Sequence, residues 1–322
     1  MKHSEVLSRY VNTGIGIPEE QFDRLSKSLQ KSYIRIRGVV GDYSHWELKY
    51  INDNQRINYI REKGKWLDNN YIEDLIKYSD NKDDIAIRII DGMGESILSI
   101  LSNLIINSLT NHSENKDDII TKIIQSKSGS LYSYDIPLLL KYSINKDDIA
   151  TKIIQAIGEK LDYVSIEYIL KDFENVNDHI AIKIIETLGE KLISNDIECL
   201  LNFSDNVNDS VTIKIIETKG DKLDRTDLSW LLRESKDKDK TAIKIIETKG
   251  EKLDGGEIFT LLRRSENKEL IKKTLLQNNV DYVSINDVIN GYNRNFHLNI
   301  PLIPDDYQSM LNEIKRIKEI MK

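Results

Sequence analysis

The sequence predicts an all-α solenoid of about seven to eight two-helix repeats, and three observations predict it. A pair of adjacent apolar residues recurs every 30 to 34 residues along most of the 322-residue chain. Glycine follows most of these pairs at a constant offset of four, and a second apolar set spaced i, i+3, i+4 follows the glycine. Self-similarity at one period means stacked copies, each too small to bury its own apolar stripe, that share one long core.

The first helix of each repeat carries the pair: Tyr59-Ile60, Ile89-Ile90, Ile123-Ile124, Ile153-Ile154, Ile184-Ile185, Ile215-Ile216, Ile245-Ile246 and Leu275-Leu276. The glycines are Gly64, Gly94, Gly158, Gly189, Gly220 and Gly250; the third copy has Ser128, with Gly129 next. They are expected to cap the first helix with φ > 0, a conformation glycine adopts without steric cost. Three residues later an apolar residue returns, at Leu67, Ile97, Leu161, Leu192, Leu223 and Leu253.

The second helices are marked by Leu75-Ile76, Ile105-Ile106, Leu139-Leu140, Ile169-Leu170, Leu200-Leu201, Leu231-Leu232 and Leu261-Leu262. Each pair has an apolar residue three positions earlier, except the second, which has Ser102. That spacing defines one helical face. Polar turns such as 79–84, 113–118 and 143–148 separate the repeats, each a stop followed by an N-cap with acids in the next first turn. The single step of 34 is expected to lengthen one turn around Ser108 to His112 as a surface loop.

The ends do not follow the period. Residues 1–50 are expected to form an N-terminal cap, with a helix starting at Pro18-Glu19-Glu20 and running through Phe22, Leu25 and Leu29. Tyr33 to Val40 alternates like a strand and equally suits a continued helix. The repeats occupy 51–292. Residues 293–322 are expected to form a linker broken at Pro301 and Pro304, then a capping helix with Leu311, Ile314, Ile317 and Met321 at helical spacing. A partner-binding helix is the alternative for that last segment.

Asp178 to Asp205, DHIAIKIIETLGEKLISNDIECLLNFSD, resembles the short HEAT-like repeat of phycocyanobilin-lyase-type and related proteins. In that class an Ala-rich first helix ends in a glycine followed by an acid, matched here by Gly158-Glu159, Gly189-Glu190, Gly220-Asp221 and Gly250-Glu251. The resemblance spans roughly Asn52 to Tyr292. It departs from the class in using Ile-Ile where Ala and Leu are common, and in having only Pro137 within the repeats. It implies a right-handed curved stack with the second helices on the concave side.

Composition narrows the function classes. Lys and Arg total 46 against 53 Asp and Glu, a net charge of −7, and hydrophobic residues make up 39% of the chain, enough for a long core. No apolar stretch approaches the roughly 20 residues that cross a bilayer, and the first residues lack the apolar core of a secretory signal, so no membrane partner and a cytoplasmic location are expected. Cys199 is the sole cysteine and falls between apolar positions, as a core residue does. Neither cofactor nor metal is expected: His3, His45, His112, His179 and His297 show no metal-ligand spacing, and the Asp-rich turns lack the alternating ligands, glycine and terminal Glu of a calcium loop. Asn12 to Glu20, NTGIGIPEE, resembles the ATP lid of histidine-kinase and gyrase-type ATPases over nine residues. Asn12 stands where that family has Asp, and only eleven residues precede it, so a turn before a helix is expected instead.

Two surface columns keep their chemistry from repeat to repeat. On the first helix, Arg88, Lys122, Lys152, Lys183, Lys214 and Lys244 precede the apolar pair, with Asp84, Asp118 and Asp148 four residues earlier; i, i+4 ion pairs are expected. On the second helix the residue after the pair is Lys77, Asn107, Lys141, Lys171, Asn202, Arg233 and Arg263, with Tyr168 and Trp230 three residues before two of them. A solvated face is the plain reading of that column, since Glu73 and Glu167 lie four residues before Lys77 and Lys171. The functional reading is a basic concave ladder that binds a partner.

The sequence therefore favours a non-enzymatic scaffold that binds a protein or peptide through Lys77, Lys141, Lys171, Arg233 and Arg263, with Tyr168 and Trp230 beside them. Nucleic-acid binding along the same ladder is the alternative, disfavoured because residues 51–265 hold 30 basic and 39 acidic residues, a net of −9. Handling of a small cofactor is a third class, implied only by the lyase-type resemblance.

Overall fold

The structure, a computed structural model, describes residues 16–40, 43–94, 103–127, 129–171, 178–203, 209–296 and 302–303. It is an all-α solenoid of helix pairs, with no strand among the described residues. The chain forms two compact units, residues 1–157 and 158–322.

In the first unit a short helix α1 (Glu19–Asp23), α2 (Lys27–Val40) and a 3-10 turn (His45–Tyr50) precede the repeats. The repeats follow as α3 (Asp53–Lys63) with α4 (Asn69–Lys77), α5 (Lys82–Met93) with α6 (Asn103–Asn111), α7 (Lys116–Ser126) with α8 (Ile136–Tyr142), and α9 (Lys146–Ile157). First helices stack on first helices in the order α3, α5, α7, α9, and second helices likewise as α4, α6, α8. The core between the two rows is the predicted pattern: Ile60, Ile72, Leu75, Ile76, Ile89 and Ile90 are all at most 2% exposed. Burying each such side chain is worth roughly 1.5–3 kcal/mol.

The second unit holds α10 (Tyr163–Lys171), α11 (Asp178–Leu188) with α12 (Ser194–Phe203), α13 (Asp209–Lys219) with α14 (Arg225–Glu234), α15 (Lys238–Lys249) with α16 (Gly255–Arg264), and α17 (Lys268–Gln277) with α18 (Tyr282–Phe296). Here too the rows run α11, α13, α15, α17 and α10, α12, α14, α16, α18. On α18, the Asn286 amide holds Ile303 by two hydrogen bonds to its backbone, at 2.9 and 3.0 Å. The expected capping helix at 305–322, with Pro301 and Pro304, lies outside the described residues, as do Ile97, Ser102, Ser128 and the motif residues before Gly16.

Tyr33 to Val40 continues helix α2. A helix brings Tyr33 and Arg37, one turn apart, onto the same buried carboxylate: Glu47 accepts the Tyr33 hydroxyl at 2.5 Å and the Arg37 Nε at 3.2 Å. Phe22, Tyr33, Trp46 and Tyr50 cluster around them. Before this cluster the described part of the glycine motif is an extended entry to α1: Ile17 is buried and donates its N–H to the Tyr33 hydroxyl at 3.0 Å. The 3-10 turn packs on α4 of the first repeat, where His45 Nδ1 lies 3.2 Å from Asp74.

Three expectations are corrected. The helix expected to run from Pro18 through Phe22, Leu25 and Leu29 is broken, with α1 ending at Asp23 and α2 beginning at Lys27. The step of 34 does not make a loop: α6 runs on to Asn111, with Leu109 and Thr110 fully buried. α6 has nine residues, as α4 has, and its buried Ile106, Leu109 and Thr110 take the places of Ile72, Leu75 and Ile76 34 residues earlier, so the extra residues precede α6 and do not extend the turn after it. Gly64 is not a positive-φ cap; its φ is −44°. It is required for closeness instead, since a Cβ there would sit 2.6 Å from the carbonyl oxygen of Gly92 on the next first helix. At the other corners glycine does have positive φ, and Gly250 (φ 52°, ψ −128°) sits in a region open to almost no other residue.

The acids of the turns fall in the first turn of the next helix, as expected, and one of them also binds across the repeat boundary. The N-caps are mostly asparagines, as where Asn81 accepts the Asp84 N–H at 3.2 Å. The acid one residue inside the helix reaches the next repeat: Asp83 accepts the N–H groups of Glu114 and Asn115 at 3.0 and 3.2 Å, Asp117 those of Ile144 and Asn145 at 2.8 Å, and Asp239 those of Glu266 and Asn267 at 2.9 and 3.0 Å. Each turn is thus clamped by the repeat before it.

Candidate functional site

Stacking at one period places equivalent residues of successive repeats side by side, so a repeated charge meets its own copies and the acids of its neighbours. Which basic residues keep an available charge depends on that pairing.

The first-helix column is largely neutralised. Arg88 pairs with Asp84 at 2.7 Å and Lys152 with Asp148 at 2.6 Å, as the i, i+4 spacing predicts. Lys122, Lys214 and Lys244 instead cross to the preceding repeat, reaching Asp91 at 2.7 Å, Glu186 at 3.0 Å and Glu217 at 2.9 Å. The Lys214 hydrogen bond holds the Glu186 carboxyl below its ordinary pKa, and that of Glu217 holds Lys244 above its own. A further column unmarked in the sequence reading lies at the glycine corners of the second unit, where Lys191, Lys222 and Lys252 pair with Glu159, Glu190 and Asp221 of the preceding corner.

The second-helix column is different. All five predicted residues are exposed and stand in the last turn of their helices: Lys77 ends α4, Lys171 ends α10, and Lys141, Arg233 and Arg263 are next to last in α8, α14 and α16. A cation there also complements the partial negative charge of a helix C-terminus. Lys77 lies over the Tyr78 ring and Lys141 over the Tyr142 ring, each 5.2 Å from the centroid, and the Arg233 guanidinium lies 3.6 Å from that of Trp230. Arg233 also pairs with Glu234. The i, i+4 partner expected for Lys77 is engaged elsewhere: Glu73 lies 3.9 Å from His112 of the next repeat.

Tyr168 is exposed one turn before Lys171, and Trp230 is half-buried beneath Arg233. The first unit thus presents Lys77 and Lys141 with adjacent tyrosines. The second presents Lys171, Arg233 and Arg263 with Tyr168 and Trp230. A cation held against a ring keeps its charge for an incoming carboxylate, whereas an ion-paired lysine has already spent it.

Three lysines that sequence reasoning passed over are buried. Lys127, Lys219 and Lys249 each reach an acid eight residues on, Asp135, Asp227 and Glu257, at 2.7 Å in all three cases. These acids sit at the start of the second helix. Asp227 also closes a capping box by accepting the Asp224 N–H at 3.1 Å. Lys219 further donates to the Leu192 carbonyl at 2.8 Å and Lys249 to that of Leu223, both in the preceding repeat. The constant offset of eight was the available signal. Asp196 holds the equivalent place on α12, but Leu188 stands where the lysine would be, and burial raises the Asp196 pKa.

Cys199 is buried as expected; its Sγ lies 3.7 Å from the Tyr163 carbonyl, and burial pushes the thiol pKa up to about 12. That favours the inert thiol over the nucleophilic thiolate. No group of three metal-ligating side chains occurs among the described residues, and none of their helices is long and apolar enough to cross a membrane.

No protein family matches the chain, and no curated protein does. Among solved structures, a circular tandem repeat protein with novel repeat topology and enhanced subunit contact surfaces aligns over 90% of this chain and 71% of its own, at 12% identity and a TM-score of 0.15. A similarity that weak carries no argument, and the solenoid is established by the helix rows themselves.

Proposed function

We infer that this protein is a non-enzymatic interaction scaffold, built of HEAT-like helix pairs, that binds an acidic protein or peptide segment along the C-terminal ends of its second helices. One observation carries the reading: of the repeated basic columns, this is the one in which cations, Lys77, Lys141 and Arg233, rest on aromatic rings, with only Arg233 also paired to an acid among the described residues, while the others are largely matched by carboxylates of their own or the preceding repeat. Aromatic side chains beside Arg are the composition of protein-binding hot spots. The net of −9 over residues 51–265 disfavours a polyphosphate chain, which a net negative surface repels.

The test is fluorescence anisotropy with a labelled Glu-rich peptide and a labelled single-stranded oligonucleotide of equal charge. The peptide is expected to bind with a salt-dependent affinity that the triple variant Lys171→Glu, Arg233→Glu, Arg263→Glu abolishes, with helicity and melting unchanged. Peptide binding that survives the triple reversal would overturn the column. Binding of the oligonucleotide alone would replace the reading with the nucleic-acid alternative.

A further inference from the structure

The first unit contains an open cleft of about 550 Å³ that takes no part in the repeat columns. One wall is a face of α2, where Lys27, Lys31 and Arg35 follow each other at intervals of four residues. Such a row rises about 6 Å per step along the helix, so the three cations line one side of the opening. The apolar part of the lining, its floor, is Phe22 from α1 and Ile34 from α2, and Tyr50 with the neutral amides of Gln30, Asn52 and Gln55 completes it. Phe22 and Ile34 are themselves at most 5% exposed, so the floor belongs to the aromatic core of the segment and is not a loose surface patch.

Charge sets the chemistry of the occupant. No acidic side chain lines the cleft among the described residues, and none of the ion pairs of the described chain involves Lys27, Lys31 or Arg35. Of the acids nearby, Glu47 is buried under Tyr33 and Arg37 and Glu19 pairs with Lys49, while Asp23 accepts the Tyr50 hydroxyl at 2.9 Å and Glu62 lines the adjoining pocket on the far side of Arg35 without forming an ion pair with it. Three neighbouring cations with no ion-paired carboxylate among the described residues repel one another, and an anion placed between them relieves that repulsion. An apolar floor beneath charged walls, in a volume within the usual range for small-molecule sites, selects a ligand with both characters.

We propose that this cleft binds a small organic anion, with a flat apolar body lying on Phe22 and Ile34 and a phosphate or carboxylate group held by Lys27, Lys31 and Arg35. The site stands apart from the partner-binding column, so either reading can fail without the other.

Isothermal titration calorimetry of the full chain tests it with four probes: 1-naphthyl phosphate, 1-naphthoate, inorganic phosphate and 1-naphthol. One-to-one binding of 1-naphthyl phosphate or 1-naphthoate is expected, at least about tenfold tighter than either inorganic phosphate or 1-naphthol. Whichever of the two binds tighter identifies the head group. Lys31→Glu with Arg35→Glu is expected to weaken that binding at least about tenfold, while Lys31→Arg with Arg35→Lys retains it. Circular dichroism melting of both variants shows that they fold. No saturable binding of either naphthyl anion, equal affinity for inorganic phosphate or naphthol, or binding unchanged by charge reversal would each overturn the proposal.

Discussion

Lys219 and Asp227 form an ion pair of 2.7 Å inside the second unit, with the two side chains 8% and 0% exposed. The same ammonium donates to the Leu192 carbonyl of the preceding repeat at 2.8 Å, and the same carboxylate accepts the Ser194 hydroxyl of that repeat at 2.7 Å. A pair that would ordinarily be costly to desolvate is therefore fully hydrogen-bonded across the repeat boundary.

Removing one member strands the other. Lys219→Met is expected to destabilise the protein by about 3–5 kcal/mol, because it leaves a buried carboxylate without its cation. Adding Asp227→Asn should recover at least about 1 kcal/mol of that loss. Urea denaturation of the two single variants and the double variant measures the coupling, and strictly additive losses would show that the pair is not a unit.

The two kinds of glycine predict effects with different causes. Alanine in a helix is normally better than glycine by about 0.5–1 kcal/mol, yet Gly64→Ala, at a helical φ, should lower the melting temperature because its Cβ would lie 2.6 Å from the Gly92 oxygen. Gly220→Ala meets no atom within 4 Å and is opposed only by its φ of 57°, for about 1–2 kcal/mol. Gly64→Ala should be the more damaging, and shortening Ile60 to Ala should not rescue it, since the obstacle is backbone.

Asp83 clamps the turn of the next repeat. Asp83→Ala should cost about 1–2 kcal/mol, the value of an exposed cap with more than one donor. Its more specific signature is faster hydrogen exchange at the Glu114 and Asn115 amides, which lose their acceptor. Unchanged exchange there would mean that the turn holds itself.

Asp196 gives the pH dependence a sign. Burial raises its pKa in the folded state, so over the window from the unfolded value upward the folded protein binds more protons than the unfolded one. Its contribution is therefore least unfavourable below about pH 4, the ordinary carboxylate value, and becomes more unfavourable as pH rises through the folded pKa. Asp196→Asn keeps an acceptor for the Ile193 N–H and removes the titration. Between pH 4 and 7 the variant should lose less stability than the parent, read from melting at each pH; parallel curves would refute the assignment.

The solenoid was legible because its information is local and repeated. The apolar pairs, the i, i+3, i+4 sets and the corner glycines each follow from helix geometry and steric rules that act within a few residues, and Ile89, Ile123, Ile153 and Ile184 are all fully buried as that pattern requires. The same periodicity singled out the second-helix column residue by residue, from Lys77 to Arg263. Tyr33 to Val40 stayed ambiguous because period two and period 3.6 both suit it, and the buried Glu47 that decides for helix lies ten residues beyond Arg37.

Tertiary structure alone decided which charges are matched. Asp83 and Lys122 look like ordinary surface residues within their own repeats, and each takes partners from a neighbouring repeat 31 or 32 residues away, while Lys219 adds to its own repeat's Asp227 a carbonyl 27 residues away. Gly64 and the register of α6 belong to the same class. Whether a glycine serves its φ or a close backbone approach, and whether an insertion bulges or stacks, depends on the helix packed against it. A period read along the chain shows what repeats, and only the stacking shows which repeated groups face each other, because Coulomb and contact energies depend on distance in space.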